Sequence, residues 1–528
     1  MNYPEFYSAL FRVTLPETML EVAALLVLVV DLGFLRKAAL KVRVTVAALL
    51  GVAGCGAATW ALHAMFPLTS DLVPLGLGVR LNMFTVVPQT GILVLTALTL
   101  LLFIGSDFTR HLGEYVAVVL MSAAGGLLVA SAHDLLVIFI GLELLSLGLY
   151  ILTAFAKGSG KSAEAAMKYY LFGGMSAAFL LFGFSYLYGL SGSTNVFEIQ
   201  RAIAISGPSP LLYVAWVLVV AGLGFKVAAV PFHLWAPDTY EGAPAPAAAF
   251  IASVSKVASF ALLLSLSHAW FMPNWFVEGD ETTLGQFFHS LYQTWPPLAT
   301  ILLVVATGSM IVGNIAALAQ VSVRRLLAYS AIAHAGYILL GVAVLPDLSG
   351  FGVHSFAFHD VWEVASRSAT AVLFYILTYG LTTIGAFGVV GVVERATGSD
   401  KLDSFLGLHK RNPVLAAVLL VLFLSLAGIP PLVGFWAKFN LFAAVLGVSA
   451  GPVPFALVAL AVALSAVSLY YYLQVLKRAY VMPAIDNSPI KAHPVTLVVL
   501  VGIAAAVVLL GCFPALLQGW IQGFYPAS

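Results

Sequence analysis

Residues 211–246 read LLYVAWVLVVAGLGFKVAAVPFHLWAPDTYEGAPAP. The run up to Phe225 holds no charge, and the apolar character continues past Lys226 to Trp235. A helix that crosses the hydrocarbon of a bilayer needs about 20 such residues. Pro231 interrupts it, because proline has no N–H for the Val227 carbonyl and its ring clashes there. Residues 417–440, AVLLVLFLSLAGIPPLVGFWAKFN, repeat the device. Pro430 and Pro431 free the carbonyls of Leu426 and Ala427, and Gly428 and Gly434 loosen the same region. Non-helical backbone at membrane depth is tolerated only where it is buried in protein or lines a wet cavity. Each break has a lysine close by, Lys226 before the first and Lys438 after the second.

Composition agrees. Of 528 residues, 61% are hydrophobic and 9% are charged, against about 25% charged in an average soluble domain. A large soluble enzyme, a disordered chain and a nucleic-acid binder are excluded. Fourteen apolar segments are long enough to span, at about 15–34, 42–64, 82–105, 114–132, 134–156, 164–190, 210–236, 244–268, 298–318, 326–345, 366–393, 412–446, 452–476 and 494–515. They lack the alternation of a barrel strand. The expectation is an all-α polytopic membrane protein of about 14 transmembrane helices. It is a single transmembrane domain over 1–528, and the polar stretch 269–297 is expected to be an outer loop. The broken helices, seventh and twelfth, are five apart. An odd offset inverts the second copy, so residues 114–268 and 298–476 are expected to form an inverted five-helix repeat. Helices 1–3 at 15–105 precede it and the last helix, 494–515, follows.

Lys and Arg set the orientation. Seventeen of the 24 fall after odd-numbered segments or just inside the sixth, among them Arg36, Lys157, Lys168, Arg324, Arg325, Lys410 and Lys477. Arg12, Arg80, Arg201 and Arg367 are on the opposite face. Both termini are therefore expected on the non-cytoplasmic side, with the first helix a retained span.

Three lysines fall at no helix end, Lys226, Lys256 and Lys438, and one acid is equally central, Glu143 in IFIGLELLSLGLYIL. Each central charge costs roughly 2.5–3.5 kcal/mol by insertion scales. At about 1.5 Å per residue, these four and His334, in LLAYSAIAHAGYILL, come out near one depth on five helices. Titratable groups in a row parallel to the membrane are what a lateral proton relay requires. Desolvation makes a buried lysine easier to deprotonate and a nearby carboxylate opposes that, whereas arginine stays charged. The competing reading is a set of ion pairs that fix helix register, with Glu143 paired to Lys226 or Lys168.

Other groups carry less. His233 suits a relay or a hydrogen bond within the break. Asp134 is expected to cap the fifth helix, Asp31 to snorkel or pair with Arg36, and Arg324 and Arg325 to anchor topology. Asp238 and Glu241 are placed at the inner mouth. The aromatic residues read as packing and interface belt. Cys55 and Cys512 read as buried small hydrophobes. No CxxC, GxGxxG or GxxxxGK[ST] motif is present, so no metal and no nucleotide cofactor is expected on this chain.

Four blocks carry a resemblance: residues 133–194, 222–260 (GLGFKVAAVPFHLWAPDTYEGAPAPAAAFIASVSKVASF), 312–341 and 426–442 (LAGIPPLVGFWAKFNLF). In them the chain resembles the antiporter-like membrane subunits of respiratory complex I, an NADH–quinone oxidoreductase. Within that family it resembles the subunit N type, since Lys438 stands where M-like chains carry Glu and no long lateral helix follows the last span, as it does in L-like chains. The resemblance implies proton translocation driven by distant electron transfer from NADH to quinone. It implies a relay of Glu143, Lys168, Lys226, Lys256, His334 and Lys438. It also implies FMN, iron–sulfur clusters and quinone in other subunits, neighbouring antiporter-like subunits as partners, and a bacterial-type plasma membrane. The alternatives are a subunit of a multi-subunit cation/proton antiporter and a scaffold without transport.

Overall fold

A computed structural model describes residues 3–69, 78–207, 209–271, 281–343, 358–448 and 452–524. Described strands are absent; the elements are helices joined by short turns. The spans are α1 (Leu15–Val29), α2 (Leu40–Thr69), α3 (Met83–Phe103), α4 (Leu112–Ser131), α5 (Leu135–Thr153), α6 (Gly160–Ser191), α7a (Pro210–Val227) with α7b (Trp235–Gly242), and α8 (Ala245–Ser267). They continue as α9 (Glu281–Leu318), α10 (Val323–Ala343), α11 (Phe358–Thr397), α12a (Pro413–Ala427) with α12b (Val433–Val448), α13 (Pro452–Tyr480) and α14 (Pro494–Cys512). Among the described residues, twelve helices are long and apolar enough to cross a membrane, and a thirteenth counts if the pair Tyr7–Val13 and Leu15–Phe34, bent by 68°, is one span. The twelfth expected segment is the remaining one, and its two halves are each too short to cross alone. Much of the expected outer loop, 272–280, is outside the described residues; from Glu281 the chain is already helical in α9.

Local chemistry starts and stops the broken helices in the same way. Ser209 caps α7a by accepting from Leu212 N–H, with Pro210 at the first helical position. Asn412 caps α12a by accepting from Leu415 N–H, with Pro413 in that position. Proline suits that position because the missing N–H has no partner there. α7a ends on Ala228 at φ 59° and α12a on Gly428 at φ 88°, both left-handed. In each, three residues further on stands the proline of a cis peptide bond, Val230–Pro231 and Pro430–Pro431. The two breaks thus share one local backbone course.

Packing places the lysine-bearing segments inside. α8 is buried throughout its apolar window and α10 nearly so, whereas α6 and α13 lie at the periphery. α11 touches α3, α8, α10, both halves of α12 and α14. Asp134 caps α5 as expected, accepting from Leu136 N–H at 2.9 Å. Asp31 pairs with Arg43 and not with Arg36. Arg43 Nε and Nη2 each donate to it at 2.7 Å, and Gly113 N–H donates at 3.1 Å. Arg36 is nearer in sequence, but Arg43 has the helical position that aims a planar fork at both oxygens.

α12a and α12b close on each other at Gly434, where a Cβ would overlap the Ser425 carbonyl oxygen. Gly434→Ala must therefore displace backbone, and overpacking of this kind costs about 1–3 kcal/mol. A lower thermal midpoint and a reduced yield of folded protein in detergent are expected, with no such loss for Gly447→Ala, where a Cβ meets open space.

Candidate functional site

The buried charges separate into two groups. The first is on α5 and α7a. Lys226 Nζ is 3.8 Å from Glu143 Oε1, beyond hydrogen-bond reach, and donates to Ser146 Oγ at 2.5 Å. Ser146 can accept because its own hydroxyl proton is committed to the Leu142 carbonyl one turn back. Lys226 is 5% exposed and Glu143 28%, so the carboxylate reaches the rim while the amine does not. Backbone groups around the first break are served by other side chains. Trp235 Nε1 donates to the Phe225 carbonyl at 2.9 Å, and the Val230 N–H donates to Ser309 Oγ on α9 at 2.8 Å.

The second group spans α8, α10, α11 and α12b. Lys256 Nζ donates to the Ala331 carbonyl at 2.5 Å and lies 5.8 Å from the Tyr379 ring centre. His334 Nδ1 is 2.8 Å from Tyr375 OH, and its ring is 4.9 Å from Tyr379 and 5.8 Å from Tyr337. Lys438 Nζ lies 5.5 Å from the Tyr337 ring. Tyr379 thus touches both Lys256 and His334, and Tyr337 touches both His334 and Lys438. Cations within about 6 Å of an aromatic face are attracted by its quadrupole. His334 Nε2 has no hydrogen-bond partner among the described residues. A small cavity lined by His334, Thr378, Thr382, Ser425 and Gly434 connects the histidine to the α12 break.

Lys438 occupies the break itself. Its Nζ donates to Leu426 O at 3.1 Å, Ala427 O at 2.9 Å and Ser465 Oγ on α13 at 2.8 Å. The first two are the carbonyls that Pro430 and Pro431 leave open. Three acceptors match the three N–H bonds of an ammonium.

The structure brings Glu143 to Lys226 and not to Lys168. Lys168 Nζ pairs with Glu164 at 2.7 Å and Asp238 at 2.8 Å near the inner mouth. No described hydrogen bond joins Lys226 to Lys256. His233 Nδ1 is unpartnered among the described residues, and the His233 carbonyl accepts from Ala236 N–H at 3.0 Å. The tyrosines around His334 escaped the sequence reading. Tyr375 and Tyr379 are one helical turn apart, and that spacing in an otherwise aliphatic run was the available signal.

Arg324 and Arg325 do more than mark a side. Arg324 is buried, donates to the Ala243 carbonyl and pairs with Glu394 at 3.2 Å. Arg325 donates to Asp238 at 2.6 Å and Glu241 at 3.0 Å. Glu241 also takes Lys161 at 3.1 Å. Two acids on α7b therefore tie α6 to α10. Among the described residues, no group of three His, Cys, Asp or Glu could hold a metal ion.

Fold and site define a polytopic helical membrane protein with buried lysines at two broken helices. The family described as "NADH:quinone oxidoreductase/Mrp antiporter, TM" matches residues 132–278 and 283–465, and the chain belongs to that family. A relative named NADH-quinone oxidoreductase subunit N 2, from Acidobacterium capsulatum, is 46% identical over 98% of this chain and 100% of its own length. NADH-quinone oxidoreductase subunit N 1 of Roseiflexus castenholzii is 39% identical over 83% of this chain and 78% of that protein. A chain of respiratory complex I from Thermus thermophilus has a TM-score of 0.73 at 30% identity, covering 96% of this chain and 98% of that chain. A chain of the Mrp complex from Dietzia sp. DQ12-45-1b has a TM-score of 0.75 at 21% identity, covering 99% and 98%, which shows a shared fold. The resemblance seen in the four blocks is borne out.

Asp238 and Glu241 lie between the spans Pro210–Val227 and Ala245–Ser267. Desolvation raises the pKa of each, but hydrogen bonds from Lys168 and Arg325 to Asp238, and from Arg325 and Lys161 to Glu241, outweigh it and hold both below their ordinary values. A depressed carboxylate contributes stability above its unfolded value and loses it as pH falls through the folded one. Thermal midpoints should therefore fall as pH drops below the ordinary carboxylate range, and Asp238→Asn should flatten that acid limb while lowering stability at neutral pH.

Proposed function

We propose that this chain is the non-redox, proton-translocating subunit N of an NADH–quinone oxidoreductase, and that Glu143, Lys168, Lys226, Lys256, His334 and Lys438 carry the proton. The observation that carries the reading is the chain of shared aromatic neighbours from Lys256 through His334 to Lys438, which ends in a three-acceptor cradle. Electron transfer, FMN, iron–sulfur clusters and quinone belong to other subunits, and neighbouring antiporter-like subunits flank this one in a bacterial-type plasma membrane. Both termini are on the non-cytoplasmic side, and the transmembrane domain contains the two repeats, 114–268 and 298–476.

The residues divide the work by their surroundings. Glu143 sets the charge felt by Lys226 across 3.8 Å without binding its proton directly. Approach of the carboxylate favours the ammonium, and its withdrawal or neutralisation releases a proton. Lys168, held by Asp238 and Glu164, stands at the cytoplasmic end and supplies protons from that side. His334 keeps one nitrogen engaged by Tyr375 and the other open towards the cavity, the arrangement a carrier needs to take a proton on one side and give it on the other. Lys438 receives it. His233, open at Nδ1, is a subsidiary carrier at the first break.

Lys226→Arg and Lys226→Ala separate this reading from a purely structural ion pair. Arginine keeps the charge but releases no proton at physiological pH. In inverted membrane vesicles holding the assembled complex, both variants should oxidise NADH with a several-fold fall in protons pumped. Full coupling with Lys226→Arg would sink the relay role and leave the ion pair standing.

A further inference from the structure

A second buried acid lies far from the relay, in helices to which neither the relay nor the family resemblance gives a role. Glu17 is in the first turn of α1 and 7% exposed; Gln89 on α3 is fully buried. Gln89 Nε2 donates to the Leu127 carbonyl of α4 at 3.1 Å and to Glu17 Oε1 at 3.4 Å. Turned the other way, the amide would set its oxygen, which can only accept, against the Leu127 carbonyl and the Glu17 carboxyl. That leaves two buried acceptors, Glu17 Oε2 and Gln89 Oε1, with no donor among the described residues.

A buried carboxylate further along the same span, Asp31, shows what an anion here requires. Asp31 has both nitrogens of a guanidinium fork and the Gly113 N–H. Glu17 has one long hydrogen bond from a neutral amide and, beside it, only its own backbone N–H. The helix start does not help, since Pro16 has no N–H and Thr18 N–H is spent on the Thr14 carbonyl. Nor does a cation. α3 carries no titratable residue, and α4 carries Glu114 and Tyr115 only at its opposite end. α2 offers His63, engaged by Thr90 Oγ1 at 3.2 Å, with Lys41 and Arg43 at its far end and Cys55 between. On the flanking segment Arg12 is exposed, and along α1 the exposed Glu21 adds like charge. An unpaired carboxylate at such a place is costly, whereas a carboxylic acid brings the one O–H donor that the two acceptors lack.

We propose that Glu17 is a proton-binding site, a carboxylic acid held between α1, α3 and α4 and separate from the lysine relay. The proton comes from water at the end of α1 and the site is restored when it leaves, with no other bond made or broken. The site is also tied to the relay's scaffold. Leu127 O accepts from Ser131 Oγ at 3.1 Å, Ser131 O meets His133 Nδ1 at 3.0 Å, and His133 Nε2 meets Ser265 Oγ at 3.2 Å on α8, the helix of Lys256. The proposal stands or falls independently of the relay.

The test is infrared spectroscopy of the assembled complex at neutral pH. Subtracting the Glu17→Gln spectrum from wild type should leave a carboxylic-acid C=O band that shifts in D2O. The substituted amide supplies the missing donor, so assembly should be unchanged. Gln89→Leu, as a second variant, should move the band through the lost hydrogen bond. A difference spectrum showing carboxylate bands, or one that appears only with added sodium, would overturn the assignment. So would the absence of any shift with Gln89→Leu when Glu17→Gln does not assemble.

Discussion

A lysine ammonium buried at membrane depth must find its acceptors in the protein, because lipid offers none. That constraint shapes α12. A regular helix keeps its carbonyls for its own N–H groups. The prolines at 430 and 431 withdraw two donors, the left-handed Gly428 turns the chain, and Lys438, a few residues on, folds back onto Leu426 O and Ala427 O. Ser465 completes the cradle. The close approach at Gly434 and the opening beside His334 both exist because the helix is broken there. Without the charge the break would leave bare carbonyls, and without the break the charge would be unmatched.

The first break uses the same backbone course with a different outcome. Lys226 precedes its proline, so its side chain leaves α7a before the open carbonyls are reached and turns to α5. Trp235 takes the Phe225 carbonyl instead. One lysine is thus held by fixed dipoles and the other faces a carboxylate at a distance where small movements change the interaction most. Coulomb energy at a separation near 4 Å changes steeply with both distance and solvation. Two breaks of one backbone course therefore present a fixed end and an adjustable one.

Much of this was legible in the chain. Spans, breaks and the central charges follow from hydropathy and from proline chemistry, both local properties. The carbonyls of Leu426 and Ala427 could be named as open from sequence because the missing N–H groups are four residues on. Other features were not legible. Lys168 reads like a partner for Glu143, yet pairs with Asp238 on α7b. Asp31 finds Arg43 and not the nearer Arg36. Arg324 looks like a surface anchor and is buried against Ala243 and Glu394. Each of these depends on which helix faces are turned together, and no short-range pattern carries that information.

What the sequence determined by itself was the environment and the inventory: a lipid-embedded helical chain, two broken helices, and lysines where lysine is costly. Scarcity of charge made those residues readable, since 9% charged residues leave few that need explaining. What only the tertiary structure decided was the pairing. It settled which acceptors satisfy Lys438, that Tyr379 and Tyr337 both lie against His334, and that Glu17 and Gln89 meet with one oxygen of each left without a donor among the described residues. The physical reason is range. Hydropathy and backbone chemistry act within one helical turn or one span, whereas the partners of a buried charge come from helices tens to hundreds of residues away.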